Sequence, residues 1–298
     1  MKMWIALRSV VVESADSRSY IFAFPIRSAN DLPGDFAFPE DFRQFSYGVF
    51  LPRAEADWFG RRAYPPRVVL LSQDSLVIVA HPASGESTHI IPIRELECVE
   101  YGHFLLLGWI SFVSSKGIRE LPFNTRTSRP VEDLLSTLSK QCAPPFDRLN
   151  ARYSACVSFG GALDIKFRNA ELAALECDEW VWARFFNPTR EKRYRVWGLF
   201  RVESHEPGDY LAVTNRRLLW ITERNRDCYE RYGSILRSAP LGNVADVSVD
   251  HVGRNCRVVF RLRSGTSWCV LLPADQSGAG TAFADRALSV ISLFKHTD

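Results

Sequence analysis

Hydrophobic positions in this chain fall mostly into short runs of period two, separated by turn-forming residues. Residues Tyr210 to Thr222 (YLAVTNRRLLWIT) form an apolar run broken in its middle by Asn-Arg-Arg. Tyr210 to Val213 and Leu218 to Thr222 are rich in residues that favour strands. Thr214-Asn-Arg-Arg217 between them predicts a tight turn, where Asn tolerates unusual backbone angles and Arg216 and Arg217 reach solvent. The run therefore reads as a hairpin and not as a helix.

The same pattern occurs once before. Val68 to Ala80 matches it at an offset of 142, with Ser72 on Thr214, Leu76 on Leu218 and Pro65 on Pro207. Beyond the next loop the offset becomes 148: Pro92 falls on Pro240, Leu96 on Val244, Val99 on Val247, Phe112 on Phe260 and Gly117 on Gly265. Upstream, Phe50-Leu-Pro52 matches Phe186-Asn-Pro188 at an offset of 136. Register kept through several strands is the signature of an internal duplication, and the two changes of offset are loop insertions in the second copy. Each copy ends in helical spacing. Val131, Leu134, Leu135 and Leu138 follow Pro130, which is well placed to start a helix, and Ala143-Pro-Pro145 stops it. Phe283, Ala287, Val290, Ile291 and Phe294 repeat the arrangement. The expected fold is mainly β: two tandem small barrels, each closed by an amphipathic C-terminal helix. The expected domains are residues 46–143 and 163–298, joined by a linker over 144–162. Residues 1–45 form an N-terminal extension with strands near 3–12 and 19–26 and an irregular aromatic stretch, Gly34-Asp-Phe-Ala-Phe-Pro39.

The second copy resembles the bacterial pleckstrin-homology-like domains and, more distantly, the GRAM domains. The residues that carry the likeness are Leu175-Glu-Cys-Asp-Glu-Trp180, Tyr210-Leu-Ala-Val-Thr-Asn-Arg-Arg-Leu-Leu219, Val244-x-x-Val247 and the closing helix. The first copy is similar through its hairpin, Ile91-Pro-Ile-x-x-Leu96-x-x-Val99, and its helix. The likeness covers about residues 45–141 and 170–295; it implies a fold and no activity, since that superfold serves many functions. In pleckstrin-homology domains the first hairpin commonly holds phosphorylated headgroups. Lys192 followed by Arg193-x-Arg195 is similar to that pattern, with Arg190 beside it.

Charge narrows the choice of copy. Net charge is only +3, but Arg184 to Arg263 holds 16 Lys and Arg against 9 Asp and Glu, a balance of +7. Arg67 to Cys142 holds 7 against 8, a balance of −1. If Trp180 to Thr222 is an up-and-down meander, Lys192, Arg193 and Arg195 fall near Arg216 and Arg217. Separately, Arg257, Arg261 and Arg263 share one strand face with Val259, while Val258, Phe260 and Leu262 point the other way. These arginines are the candidate anion- or partner-binding residues, and solvated tips and faces with no ligand are the alternative.

Other chemistry is scarce. G-x-S-x-G, H-E-x-x-H and the phosphate-binding glycine loop are absent from the sequence. Ser277-Gly-Ala-Gly280 before a helix is an anion cradle or a flexible helix start, and Cys98 and His103 have nothing to bring them together. The six histidines show no metal-ligand spacing, and seven scattered cysteines without C-x-x-C indicate reduced thiols. The longest apolar run, Phe104 to Val113, is about half of the ~20 residues that span a bilayer. Arg8 interrupts what would be the core of a signal peptide, which makes the cytoplasm the expected location. The expected function is a non-catalytic binding or scaffolding protein with a protein partner and no cofactor or metal. The alternative is a peripheral adaptor that binds anionic lipid at the inner face of the membrane through the basic second copy, and an enzyme is third. Nucleic acid is disfavoured, because the basic residues are not interleaved with aromatics.

Overall fold

Apolar runs of period two become strands here because nearly every one has a partner within reach of a tight turn. The computed structural model describes residues 22–34, 36, 44–55, 63–104, 107–143, 156–196, 200–223, 233–253 and 255–295, the side chains of 29, 55, 63, 104 and 192–205 excepted. The first half runs β1 (Phe24–Ile26), β2 (Tyr47–Leu51), β3 (Ala54–Glu55), β4 (Ala63–Tyr64), β5 (Arg67–Leu71), β6 (Ser75–Ala80) and β7 (His89–Pro92). It continues with β8 (Leu96–Phe104), β9 (Leu107–Ser114), β10 (Gly117–Asn124) and helix α1 (Arg129–Cys142). The second half opens with β11 (Val157–Gly160) and α2 (Ile165–Ala174), then β12 (Val181–Asn187), β13 (Arg190–Val196), β14 (Phe200–Glu206), β15 (Asp209–Thr214) and β16 (Arg217–Thr222). It ends with β17 (Gly233–Pro240), β18 (Val244–Val252), β19 (Asn255–Leu262), β20 (Ser267–Leu272) and α3 (Ser277–Lys295).

The two halves repeat one strand order. β2-β5-β6-β7 are neighbours in the first half and β12-β15-β16-β17 in the second, each followed by a three-stranded meander and a helix. Both copies hold the hairpin and its turn in the same way. Ser72 Oγ accepts the Ser75 amide at 3.1 Å, and Thr214 Oγ1 accepts the Arg217 amide at 3.0 Å. The next turn is tied back identically, Ile93 N to Asp74 O at 2.8 Å and Leu241 N to Arg216 O at 3.0 Å. Even the irregularities match: β8 slips register between Leu96 and Cys98, and β18 between Val244 and Asp246. A bulge bends its strand, and it falls here where each chain passes from one sheet to the next.

Each half buries one core between two sheets and a helix. Val49, Val69 and Ile78 face Ile110, Phe112 and Phe123, with Val131, Leu134 and Leu138 of α1 closing the open end. In the second half Phe185, Leu211 and Val213 face Val258, Phe260 and Val270 beneath Phe283, Ala287, Val290 and Ile291 of α3. Gly280 lets that helix approach closely, because a Cβ there would lie 2.4 Å from Leu272 Cδ1. Gly280 thus packs the first turn of α3 against β20. The expected closed barrels are not found among the described residues: strands pair as open sheets that stack over a core.

The outer face of the sheet is also covered in both halves, by segments whose role the sequence pattern did not convey. In the first, β1 pairs with β2, and Ile26 and Phe36 pack on Phe50, Val68 and Leu70. The expected strand at 3–12 lies outside the described residues. In the second, β11, inside the expected linker, pairs parallel to β12, and α2 sets Phe167 against Phe186, Tyr210 and Ile221. Finally, β17 pairs antiparallel with β8, Ser238 opposite Val99 and Gly233 opposite Phe104. That pairing merges the halves into one eight-stranded sheet, β10-β9-β8-β17-β16-β15-β12-β11.

Beside this seam Trp109 lies flat across Gly102, its cross-strand partner, and a Cβ on Gly102 would sit 2.0 Å from Trp109 Cζ2. Gly102→Ala therefore displaces the indole. Urea unfolding should register a loss of about 1–3 kcal/mol, and an unchanged midpoint would contradict this packing.

Candidate functional site

Arg216 and Arg217 do not reach solvent. They are 2% and 6% exposed, and both are held by the segment Leu175 to Trp180 that passes over their turn. Asn215 fixes the approach: its amide donates to Trp180 O at 3.1 Å, and its side-chain oxygen accepts the Trp180 amide at 3.2 Å. Arg217 then forks onto Glu179, Nε at 2.9 Å and Nη2 at 2.8 Å, and Thr214 Oγ1 donates to the same carboxylate at 2.6 Å. Arg216 pairs with Asp178 and donates from Nη1 to Ala143 O, just past α1, at 3.0 Å. The physical reason for this correction is the pair of acids. A guanidinium taken from water requires compensating carboxylates, and Asp178-Glu179 supplies one for each arginine. The first copy has Asp74 and Ser75 at the equivalent positions.

Lys192, Arg193 and Arg195 do not lie near that turn. Val181 is opposite Thr214 and Asn187 opposite Asp209, so the turn and the base of the β13–β14 ribbon are at opposite ends of β15. Residues 190–206 make one inserted hairpin, with Val196 opposite Phe200, and not two strands of the meander. Consecutive turns of a meander alternate ends, which separates the two basic groups. Arg190, at the ribbon's base, pairs with Asp275 at 2.8 Å, and that hydrogen bond holds the aspartate below its ordinary pKa.

The third candidate group is neutralised across strands. Arg261 stands directly opposite Asp246 and pairs with it at 2.8 Å, and Arg257 stands opposite Asp250 at 4.0 Å. What reads along β19 as a basic stripe is a ladder of alternating charge once β18 lies beside it. Arg263 is exposed at the strand's end.

Buried acids that the sequence reading missed are likewise saturated. Glu223 accepts Lys166 Nζ at 2.6 Å, the Gly208 amide at 3.1 Å and the Thr189 hydroxyl. Burial alone would raise its pKa, but these partners carry it below the ordinary value. Glu171 accepts the Tyr210 hydroxyl and lies 3.6 Å from Arg184. Each joins α2 to the sheet. Cys98 and His103, five residues apart on β8, project to opposite faces. Burial pushes the Cys98 and Cys142 thiols up to about 12. Among the described residues, no group of His, Cys, Asp and Glu is arranged to hold a metal ion.

Two concavities remain at the seam. One, beneath Arg217 and between α1 and β17, is only about 50 Å³, room for a water or two. The other, about 360 Å³, opens over the seam strands and is overhung by the start of β20. Its floor is a row that crosses the sheet residue by residue: Ser111 opposite Glu100, Glu100 opposite Arg237, Arg237 opposite Trp220. Glu100 accepts Trp109 Nε1 at 3.1 Å and Arg237 Nε at 2.8 Å, while the Arg237 guanidinium lies 4.3 Å from the centre of the Trp220 ring. This row joins both halves and has polar, charged and aromatic groups at an open surface. No protein-family model matches the chain, and no curated protein matches it.

Three outcomes follow. Arg217→Met leaves Glu179 buried without its counter-charge and should cost about 3–5 kcal/mol of stability, most of it regained in the double variant with Glu179→Leu. Arg263→Ala, at an exposed end, should stay within about 0.5 kcal/mol of the parent in the same denaturation series. For the thiols, alkylation of the folded chain at about pH 8 should modify exposed Cys177 and Cys269 and spare Cys98 and Cys142, whose raised pKa keeps them protonated. Peptide mapping reads this out, with the urea-unfolded chain as the reference in which all react.

Proposed function

We propose that this protein is a non-catalytic scaffold built from two pleckstrin-homology-like units, and that it presents a fixed surface to a protein partner. The carrying observation is the continuous sheet through β8 and β17, which joins the two units by backbone hydrogen bonds. Around it Arg237 reaches Glu100 across the seam, Asn243 donates to Leu96 O at 2.9 Å, and Lys140 of α1 pairs with Glu176 at 3.1 Å. Paired units of this kind hold a fixed geometry, as suits a scaffold, where units joined only by a linker would move independently. The pleckstrin-homology-like reading is supported by four strands, then three, then a helix, in each half. Exposed Leu271, on the edge strand β20, is an apolar position where a partner would sit.

A second reading, an adaptor for anionic membranes, is favoured by one feature. The β13–β14 ribbon is a separate two-stranded sheet that carries Arg190, Lys192, Arg193, Arg195 and Arg201. Against it, Arg216 and Arg217 are spent in buried pairs and Arg257 and Arg261 in cross-strand ones. No helix among the described residues is long and apolar enough to cross a membrane.

Co-sedimentation with phosphatidylserine-containing vesicles at ~20 and ~150 mM salt separates the readings, since attraction to a charged surface fades as salt rises. The scaffold reading expects no salt-dependent binding. Binding that disappears in the double variant Lys192→Glu, Arg193→Glu would transfer the function to the membrane. Capture of a partner by the immobilised full chain, lost on Leu271→Asp, is the positive result for the scaffold.

A further inference from the structure

Arg237 is restrained on two sides and open on a third. Its Nε is committed to Glu100 and its face to Trp220, yet neither terminal nitrogen, Nη1 or Nη2, hydrogen-bonds to any described residue. The side chain is 21% exposed, and it lines the 360 Å³ cleft at the seam. An arginine in this state is a preformed fork, because the rotamer freedom a ligand would otherwise have to freeze is already gone. Beside this floor the cleft is lined by Trp268, whose ring centre is 6.1 Å from that of Trp220, and by the apolar side chains of Val113 and Ile118. Small-molecule sites commonly have this size and composition, with an apolar enclosure and few polar groups that fix orientation.

We propose that this cleft binds a small organic monocarboxylate, with the carboxylate held end-on by the two terminal nitrogens of Arg237 and an aromatic or branched apolar body against Trp268, Val113 and Ile118. The charge of the acid is selected as well as its shape. Glu100 stands directly opposite Arg237, and Glu120 lies two strands further along the same row, 3.4 Å from Ser111 Oγ. One negative charge on the ligand shares Arg237 with Glu100. A second would lie near the Glu100 carboxylate, so a dianionic phosphate is disfavoured. The site forms only where the halves meet, since Glu100, Ser111, Val113 and Ile118 come from the first and Arg237, Trp220 and Trp268 from the second. It is separate from the arginine-bearing ribbon and does not depend on what partner the scaffold holds.

The test is titration calorimetry of the full chain with 3-phenylpropanoate, its neutral amide 3-phenylpropanamide, and inorganic phosphate. The expected result is saturable binding of the carboxylate, with the amide and phosphate weaker by roughly tenfold or more, as for loss of a charge-assisted bidentate pair. Arg237→Lys keeps the charge beside Glu100 but loses the fork, and should weaken the carboxylate alone by a similar factor. Ile118→Trp, at a position 58% exposed and so harmless to folding, fills the cleft and should abolish binding with Arg237 intact. Equal affinity for acid and amide, undiminished binding in Ile118→Trp, or no saturable binding by the parent chain overturns the proposal. Should Arg237→Lys fail to fold, the Ile118→Trp result decides. None of these outcomes touches the vesicle or partner measurements, so failure here and failure of the scaffold reading are distinguishable.

Discussion

The pairing of β17 with β8 is the constraint on which the rest of this molecule depends. Without it each half has an unpaired strand of eight or nine residues at a sheet edge, with a row of free amides and carbonyls. With it, both rows are satisfied at once and the halves share one pleated surface. The pairing also explains an asymmetry between the copies. β7 has four residues where β17 has eight, and the extra ones precede the point at which the offset between copies settles at 148. Gly233 to Leu236, absent from the first copy's strand, supply most of the contact with residues 101–104. What looks along the chain like a loop insertion is the material of the joint.

Much of the fold was legible because the information was local or repeated. The two hairpins follow from period two and a turn, and α1 and α3 from helical spacing and their flanking residues. The constant offsets correctly aligned even the paired slips at Leu96/Cys98 and Val244/Asp246. α2 was not legible for a definite reason. It exposes Ile165 and Leu172 and buries Glu171, the reverse of the pattern that marks an amphipathic helix, because Glu171 is needed beneath Tyr210. β11 has four residues and no alternation, and it is a strand only because β12 lies alongside.

The candidate sites were less legible, and two of the three failures have one origin. A count of charge along the chain is blind to partners across it. Asp178 and Glu179 are 38 residues from the arginines they hold, and Asp246 is 15 from Arg261. Each arginine was visible, while the acid that quenches it was attributed to another element. The seam row was invisible for the same reason at greater range, since Glu100 and Arg237 are 137 residues apart. Only the tertiary pairing of two unrelated edges places them side by side.

The matched turns have a consequence of a different kind. Because the chain contains two versions of one design, it carries its own internal control. Where they agree, as at Ser72 and Thr214 or Pro92 and Pro240, the residue answers to a demand of the architecture that either copy must meet. Where they part, as at Asp74 and Arg216 or Ser75 and Arg217, one copy has taken on a task the other lacks. Read in this way, the second copy's hairpin turn has become the latch: it reaches the end of the first copy's helix, and among the described residues the first copy's turn makes no comparable contact. The two halves are therefore unequal partners, a frame and the arm that clasps it, and a substitution at one position of the repeat is no guide to its effect at the other.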